Sequence, residues 1–114
     1  MSAIEIPFSY EMAVAIIDGK KVATTRREAK GQIGDVFNIE LVRDDVLRGI
    51  PVKRCLTLRI IEIMAVDLET VRDLYFRLEG FDSPEAFEET WRSLHRGHFT
   101  TVKLYYIHFF GRVV

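Results

Sequence analysis

One hundred and fourteen residues suffice for one compact domain with its own core and are too few for two. Apolar residues at 48% and charged residues at 29% are ordinary for a globular chain and exclude intrinsic disorder. A net charge of −1 supplies no global pull toward nucleic acid or acidic membranes, so contact with RNA would need a local patch.

The single cysteine, Cys55, cannot close an intramolecular disulfide, which suits a reducing compartment. Met1 to Glu5 has neither the basic nor the apolar region of a signal peptide, and no apolar run reaches membrane-span length. The expectation is a cytoplasmic single domain over residues 1–114, with no membrane or DNA partner.

In chain order, Ala3 to Phe8 is short and β-like. Ser9 caps a helix over Tyr10 to Asp18, with Glu11 in the first turn and Met12, Ala13, Ile16 and Ile17 as its buried stripe. Gly19 then supplies the positive φ that stops the helix. Val22 to Arg26 reads as a strand, with Lys21, Ala23 and Thr25 on one face and Val22, Thr24 and Arg26 on the other. A loop over Lys30–Asp35 leads to a second strand, where Phe37, Ile39 and Leu41 alternate with polar neighbours.

Arg43 to Lys53 is charged, mixed in sign (Arg43, Arg48 and Lys53 among Asp44 and Asp45) and broken by Gly49 and Pro51, so it reads as a connection. Cys55 to Met64 is the longest β signal, with Cys55 expected as a buried small hydrophobe. Leu56, Leu58 and Ile60 share one parity, and Ile61 and Ile63 the other, which predicts a β-bulge or a barrel corner, with burial on both faces as the other reading. Asp67 caps a helix whose inward stripe is Leu68, Val71, Leu74, Tyr75 and Leu78, ended by Glu79-Gly80-Phe81. Ser83, Pro84 and Glu85 restart it at N-cap and first turn, with Phe87, Trp91 and Leu94 facing inward. Thr101 to Val113 closes the chain as a strand. The order β-α-β-β-β-α-α-β predicts an α+β fold, a small antiparallel or mixed barrel with helices at its sides.

Polar chemistry concentrates in one place. Gly19 to Arg27 packs four cations, two threonine hydroxyls and a turn glycine into nine residues. Gly19, Lys20, Arg26 and Arg27 are therefore the candidate contacts for an anionic or polar ligand, with the planar guanidinium of Arg26 suited to phosphate or carboxylate. The plain alternative is a solvated cationic face after a helix C-terminus, where the dipole favours positive charge. Thr24 offers a hydroxyl. Lys21 offers an amine that acts as a base only when burial or neighbouring cations depress its pKa.

Trp91, Phe99, Tyr105 and Tyr106 could stack bases, although aromatics at such spacing more often build core. His98-Phe99-Thr100 is placed to line the mouth of a pocket. His95 and His98 lie three apart and His108 sits in the last strand, which leaves a metal site short of ligands. No metal and no cofactor is expected.

The pattern Gly19-x-Lys21-x-x-Thr24-x-Arg26, after a short helix and before Gly34-Asp35, resembles the ASCH domain family of the PUA-like superfamily. Glu79-Gly80-Phe81-Asp82-Ser83, followed by Phe87 and Trp91, is similar to the "EGF-S-x-x-F-x-x-W" segment common in these domains. The resemblance implies a PUA-like (ASCH) small β-barrel of about five to six strands with flanking helices. It extends to the small bacterial N(4)-acetylcytidine amidohydrolases, and so implies Lys21, Thr24 and Glu79 as the working group. Glu79 would either shuttle a proton to the leaving amine or pair with Lys21. The chain departs from those hydrolases in its longer Glu-Gly-Phe, Phe and Trp segment, which bears on the shape of the pocket. Other members of the family are proposed to bind RNA. The implied ligand is a nucleoside, nucleotide or RNA held in a cationic cleft. Hydrolysis of the acyl amide of N(4)-acetylcytidine or a related modified nucleoside is the enzymatic version. A non-catalytic RNA-binding module linked to translation or RNA metabolism is the alternative.

Overall fold

Three short polar side chains start three helices. Ser9 accepts from the Met12 N–H at 3.3 Å, Asp67 from the Thr70 N–H at 3.1 Å, and Ser83 from the Ala86 N–H at 3.1 Å. Each satisfies an amide that the first helical turn leaves unpaired. The computed structural model describes residues 3–45 and 49–113. The elements are α1 (Tyr10–Ile17), β1 (Ala23–Arg26), β2 (Val36–Asp45), β3 (Ile50–Asp67), α2 (Leu68–Leu74), α3 (Pro84–Leu94) and β4 (Leu104–Arg112). Among the described residues no helix is long and apolar enough to cross a membrane.

The strands form one curled antiparallel sheet in the order β1-β4-β3-β2, a half-barrel of four strands where five to six were expected. The missing strand is the first segment. Between Ala3 and Phe8 only Ile4 bridges the sheet, in parallel with Phe37, because Pro7 has no N–H and Ser9 already turns the chain into α1. The expected connection at Arg43–Lys53 is instead mostly ladder. Residues 43–45 pair with residues 50–52, and Val42 with Lys53; Arg48 lies outside the described residues. The physical reason lies on the other side of β3. β4 joins it only from Leu58 onward, so Pro51, which cannot donate, faces no second strand. Cys55 lies in that same half and is exposed rather than buried, its thiol beside Glu40.

The parity change in β3 is a bulge. Ile60 pairs with Phe110 and Glu62 with Phe109, leaving Ile61 as the extra residue, 60% exposed. Ile61 lies over Gly111, where a Cβ would come within 2.9 Å of its Cδ1. Pairing puts Ile60, Phe110 and His108 on one face of the sheet, and Val66, Tyr105 and Ile107 on the other. The first face carries one core, with α1, Ile6, Phe37, Ile39 and Leu58. The second carries another, with α2, α3, Ala23, Phe87 and Trp91.

α2 stops at Leu74, short of the expected Leu78; its inward face is Leu68 and Val71, continued by Tyr75, while Leu74 and Leu78 are exposed instead of inward. Leu94, at the end of α3, is exposed as well. The chain after α2 tightens into turns, with Gly80 N–H donating to Arg77 O and Phe81 N–H to Phe76 O. The carbonyl of Leu78 accepts from the N–H groups of Val22 and Ala23, at 2.7 and 3.0 Å. Those two bonds clamp the post-helix turn onto the start of β1.

Gly80 makes the clamp possible. Its φ is +98°, and a Cβ there would stand 3.2 Å from the Lys21 Cβ. Replacing Gly80 by alanine is expected to cost roughly 1–3 kcal/mol, from backbone strain and crowding together, read as a lower midpoint in urea unfolding.

Candidate functional site

β1 is an edge strand, and its alternation sorts two neighbouring threonines. Thr25 pairs with Ile107 on the α2/α3 face, and Thr24 with His108 on the opposite face. Lys21 enters from just before β1, after its N–H and that of Lys20 have both bonded to the Ala15 carbonyl. The clamped turn brings Glu79 to the same place. All three side chains are buried: Lys21 is 2% exposed, Glu79 5% and Thr25 6%.

Lys21 Nζ donates to the carbonyl oxygen and to Oε1 of Glu79, both at 3.1 Å. Thr25 Oγ1 donates to Glu79 Oε2 at 2.7 Å. Both carboxylate oxygens are thus engaged, one by a cation and one by a hydroxyl. Burial pushes the Lys21 ammonium below its ordinary value, the Glu79 carboxylate opposes that, and Arg26 adds to it.

Thr24 does not meet Glu79 in this structure and bonds elsewhere. Its hydroxyl accepts from Arg26 Nε at 3.2 Å, and its carbonyl faces His108 Nδ1 at 3.2 Å. Arg26 also donates to the Pro7 carbonyl at 2.7 Å and lies over the Phe8 ring. Much of its fork is therefore spent tying the N-terminal segment to β1. Arg27 is exposed beside it. Gly19, at φ +79°, terminates α1 and donates to Ile16 O, while Lys20 is exposed; neither is among the residues lining the cleft described next.

A cleft of about 250 Å³ lies between the start of α1, the edge of β1 and α3. Thr24, Thr25, Arg26, Arg27 and Glu79 give it polar groups, and Phe81, Phe87, Trp91 and Tyr105 give it aromatic walls. A small volume, mostly apolar walls and a few convergent polar groups are the usual make-up of a small-ligand site. Trp91 serves both core and cleft: it is 8% exposed and stacks on His95 at 4.1 Å with a 12° interplanar angle.

Sequence reasoning assigned no role to Thr25, although the strand alternation had already placed it with Lys21. Thr90 carried no signal, because only the packing of α3 brings it to the cleft, and Phe81 was singled out as part of a motif but not as a cleft wall.

His108 is fully buried behind β1. Its Nε2 accepts from the Lys30 N–H at 2.8 Å, so Nδ1 carries the proton given to the Thr24 carbonyl, and the ring is neutral. Burial pushes its pKa below the ordinary value, opposed by the contact with Thr24.

No family model matches the sequence, and no curated protein is similar to it at the sequence level. Solved structures are similar in fold. The crystal structure of an ASCH domain from Lactobacillus crispatus JV V101 superposes with a TM-score of 0.67 at 17% identity, over 96% of this chain and 76% of that one. A crystal structure from Enterococcus faecalis V583, of the DUF984 family, gives a TM-score of 0.64 at 15% identity, over 99% of this chain and 82% of that one. The chain shares the fold of that ASCH domain, an α+β half-barrel with helices packed on its faces.

Two measurements test the electrostatics of the site. Lys21→Met leaves a buried carboxylate without its cation and is expected to cost about 3–5 kcal/mol in urea unfolding, whereas Lys21→Met with Glu79→Gln recovers most of the loss. A histidine with a depressed folded pKa adds stability that is complete above its ordinary 6.5 and is lost as pH falls through the folded value. The melting temperature is therefore expected to fall on acidification below 6.5, and His108→Gln to flatten that fall.

Proposed function

We propose that the cleft binds the base of a nucleotide or RNA ligand, and that the Lys21–Glu79–Thr25 chain hydrolyses the acyl amide of an N(4)-acylated cytidine. The observation that carries this reading is the buried carboxylate with Thr25 Oγ1 at 2.7 Å and Lys21 Nζ at 3.1 Å, at the wall of an aromatic cleft. A hydroxyl bonded to a base that a third group orients is the arrangement nucleophilic catalysis requires. The motif resemblance around Lys21, Thr24 and Glu79 supplies the substrate class.

In this reading Thr25 Oγ1 attacks the acyl carbonyl carbon and gives its proton to Glu79 Oε2. The C–N bond then breaks, Glu79 returns the proton to the departing amine, and water cleaves the resulting ester to free the acid and Thr25. Lys21 holds Glu79 in place through its bonds to the Glu79 carbonyl and Oε1; its ammonium is too buried to reach the substrate itself. Arg27 is the cation best exposed to face a developing oxyanion.

A second reading follows from the same hydrogen bonds. With both Glu79 oxygens already engaged, the trio also suits a rigid non-catalytic nucleotide- or RNA-binding module, in which it only pins the turn to β1.

Turnover of N(4)-acetylcytidine, followed chromatographically, separates the two readings. Thr25→Val and the charge-compensated pair Lys21→Met with Glu79→Gln are expected to lower kcat at least about 100-fold while retaining the native circular dichroism. Thr24→Val should act much more weakly; an equal or larger loss there would move the nucleophile to Thr24. A folded wild type that binds cytidine without turnover favours the binding module.

A further inference from the structure

The cleft does not end at Trp91. Beyond the Trp91–His95 stack lies a second depression of about 410 Å³, and the two share Arg27, Trp91, Leu94, His95 and Tyr105 as a common wall. Arg27, Arg96 and Lys103 line the second depression together with His98, and none of its nine lining residues is a carboxylate. The chain as a whole carries 17 acids against 16 basic side chains, so this separation of charge is local and pronounced. Among the described residues Arg27, Arg96 and Lys103 form no ion pair with a carboxylate, which leaves their charge available.

The backbone supports the same conclusion. Arg96 has φ +56°, in the left-handed region where glycine or asparagine is the usual occupant, and it is the only non-glycine residue described there. A long cation thus stands where the local conformation favours a small residue. Part of the end of α3, whose carbonyl dipoles would repel an anion, is capped. Trp91 O faces His95 Nδ1 at 2.8 Å, and Arg92 O accepts from the Gly97 N–H at 2.7 Å.

We propose that this second depression is a phosphate subsite, so that the ligand lays its base in the aromatic cleft and its phosphates across Arg27, Arg96 and Lys103. The inference rests on the base-site reading of the first cleft, and it makes the preferred ligand a phosphorylated nucleotide or an RNA strand rather than a free nucleoside. The fixed Trp91–His95 wall between the two depressions favours an alternating base-and-phosphate chain over a polyacid such as poly-glutamate, which has no aromatic ring to place there.

The test compares cytidine, cytidine 5′-monophosphate, a fluorescent cytidine hexaribonucleotide and inorganic pyrophosphate as ligands. Wild type is set beside Arg96→Asn, which tolerates the left-handed backbone, and Lys103→Ala. The hexamer is expected to bind more tightly than cytidine, with log affinity falling against log salt by about 0.7 for each phosphate neutralised. Each variant should weaken hexamer binding about tenfold and leave cytidine affinity unchanged. Monophosphate binding that matches the hexamer and weakens in the same variants assigns the phosphate to the nucleotide itself; a gain seen only with the hexamer assigns it to the strand backbone. Unchanged hexamer affinity in both variants overturns the proposal, as does competition by poly-glutamate equal to that of the hexamer. Pyrophosphate binding through Arg96 and Lys103 without any cytidine binding sinks the base-site reading and leaves the phosphate subsite standing.

Discussion

The arrangement of this protein depends on a lysine and a glutamate that are 58 residues apart and almost entirely out of water. Neither can be buried alone. Moving one unpaired charge inside costs far more than a single packing contact returns, so each side chain is tolerated only where the other meets it. That requirement ties the turn after α2 to the start of β1. Leu78 O, which accepts two β1 amides, and Gly80, which leaves room for the Lys21 stem, serve the same junction. A polar interaction here specifies geometry, while the apolar clusters on the two faces of the sheet supply the bulk of the stabilisation.

A sheet packed on both faces has consequences at its edge. β1 belongs to neither core completely. Thr25 looks toward α2 and α3, and Thr24 looks toward His108 and the N-terminal segment. The cleft forms where the two coverings fail to meet around that edge, with α1 on one side and α3 on the other. Arg26 holds one side by reaching Pro7, and His108 holds the other by capping Lys30. The candidate site is thus a seam between two packed layers, and its polar groups come from the strand that both layers leave partly open.

Much of the fold was legible because it rests on local rules. Ser9, Asp67 and Ser83 announce their helices through capping chemistry that needs no tertiary partner. The parity break at Ile60 and Ile61 revealed the bulge because side-chain alternation has a period of two. The errors share a cause. Leu74 and Leu78 read as an inward stripe, but the buried side of α2 passes through Val71 to Tyr75, and the Leu78 carbonyl is bonded to the β1 amides beyond the helix. Arg43 to Lys53 read as a loop because charge and Pro51 speak against a strand, and nothing local says that one side of β3 is unpaired there.

By itself the sequence determined where helices begin, which strand changes phase, and that a cationic stretch with two hydroxyls lies between α1 and β2. It also placed Lys21 and Thr25 on one face. Only the tertiary structure decided that Thr25, rather than Thr24, meets Glu79, and that Arg26 is spent on Pro7 while Arg27 and Arg96 face open space. The physical reason is range. Caps, turns and alternation act over a few residues, whereas a buried ion pair and an edge-strand clamp join segments whose proximity depends on how the whole sheet curls.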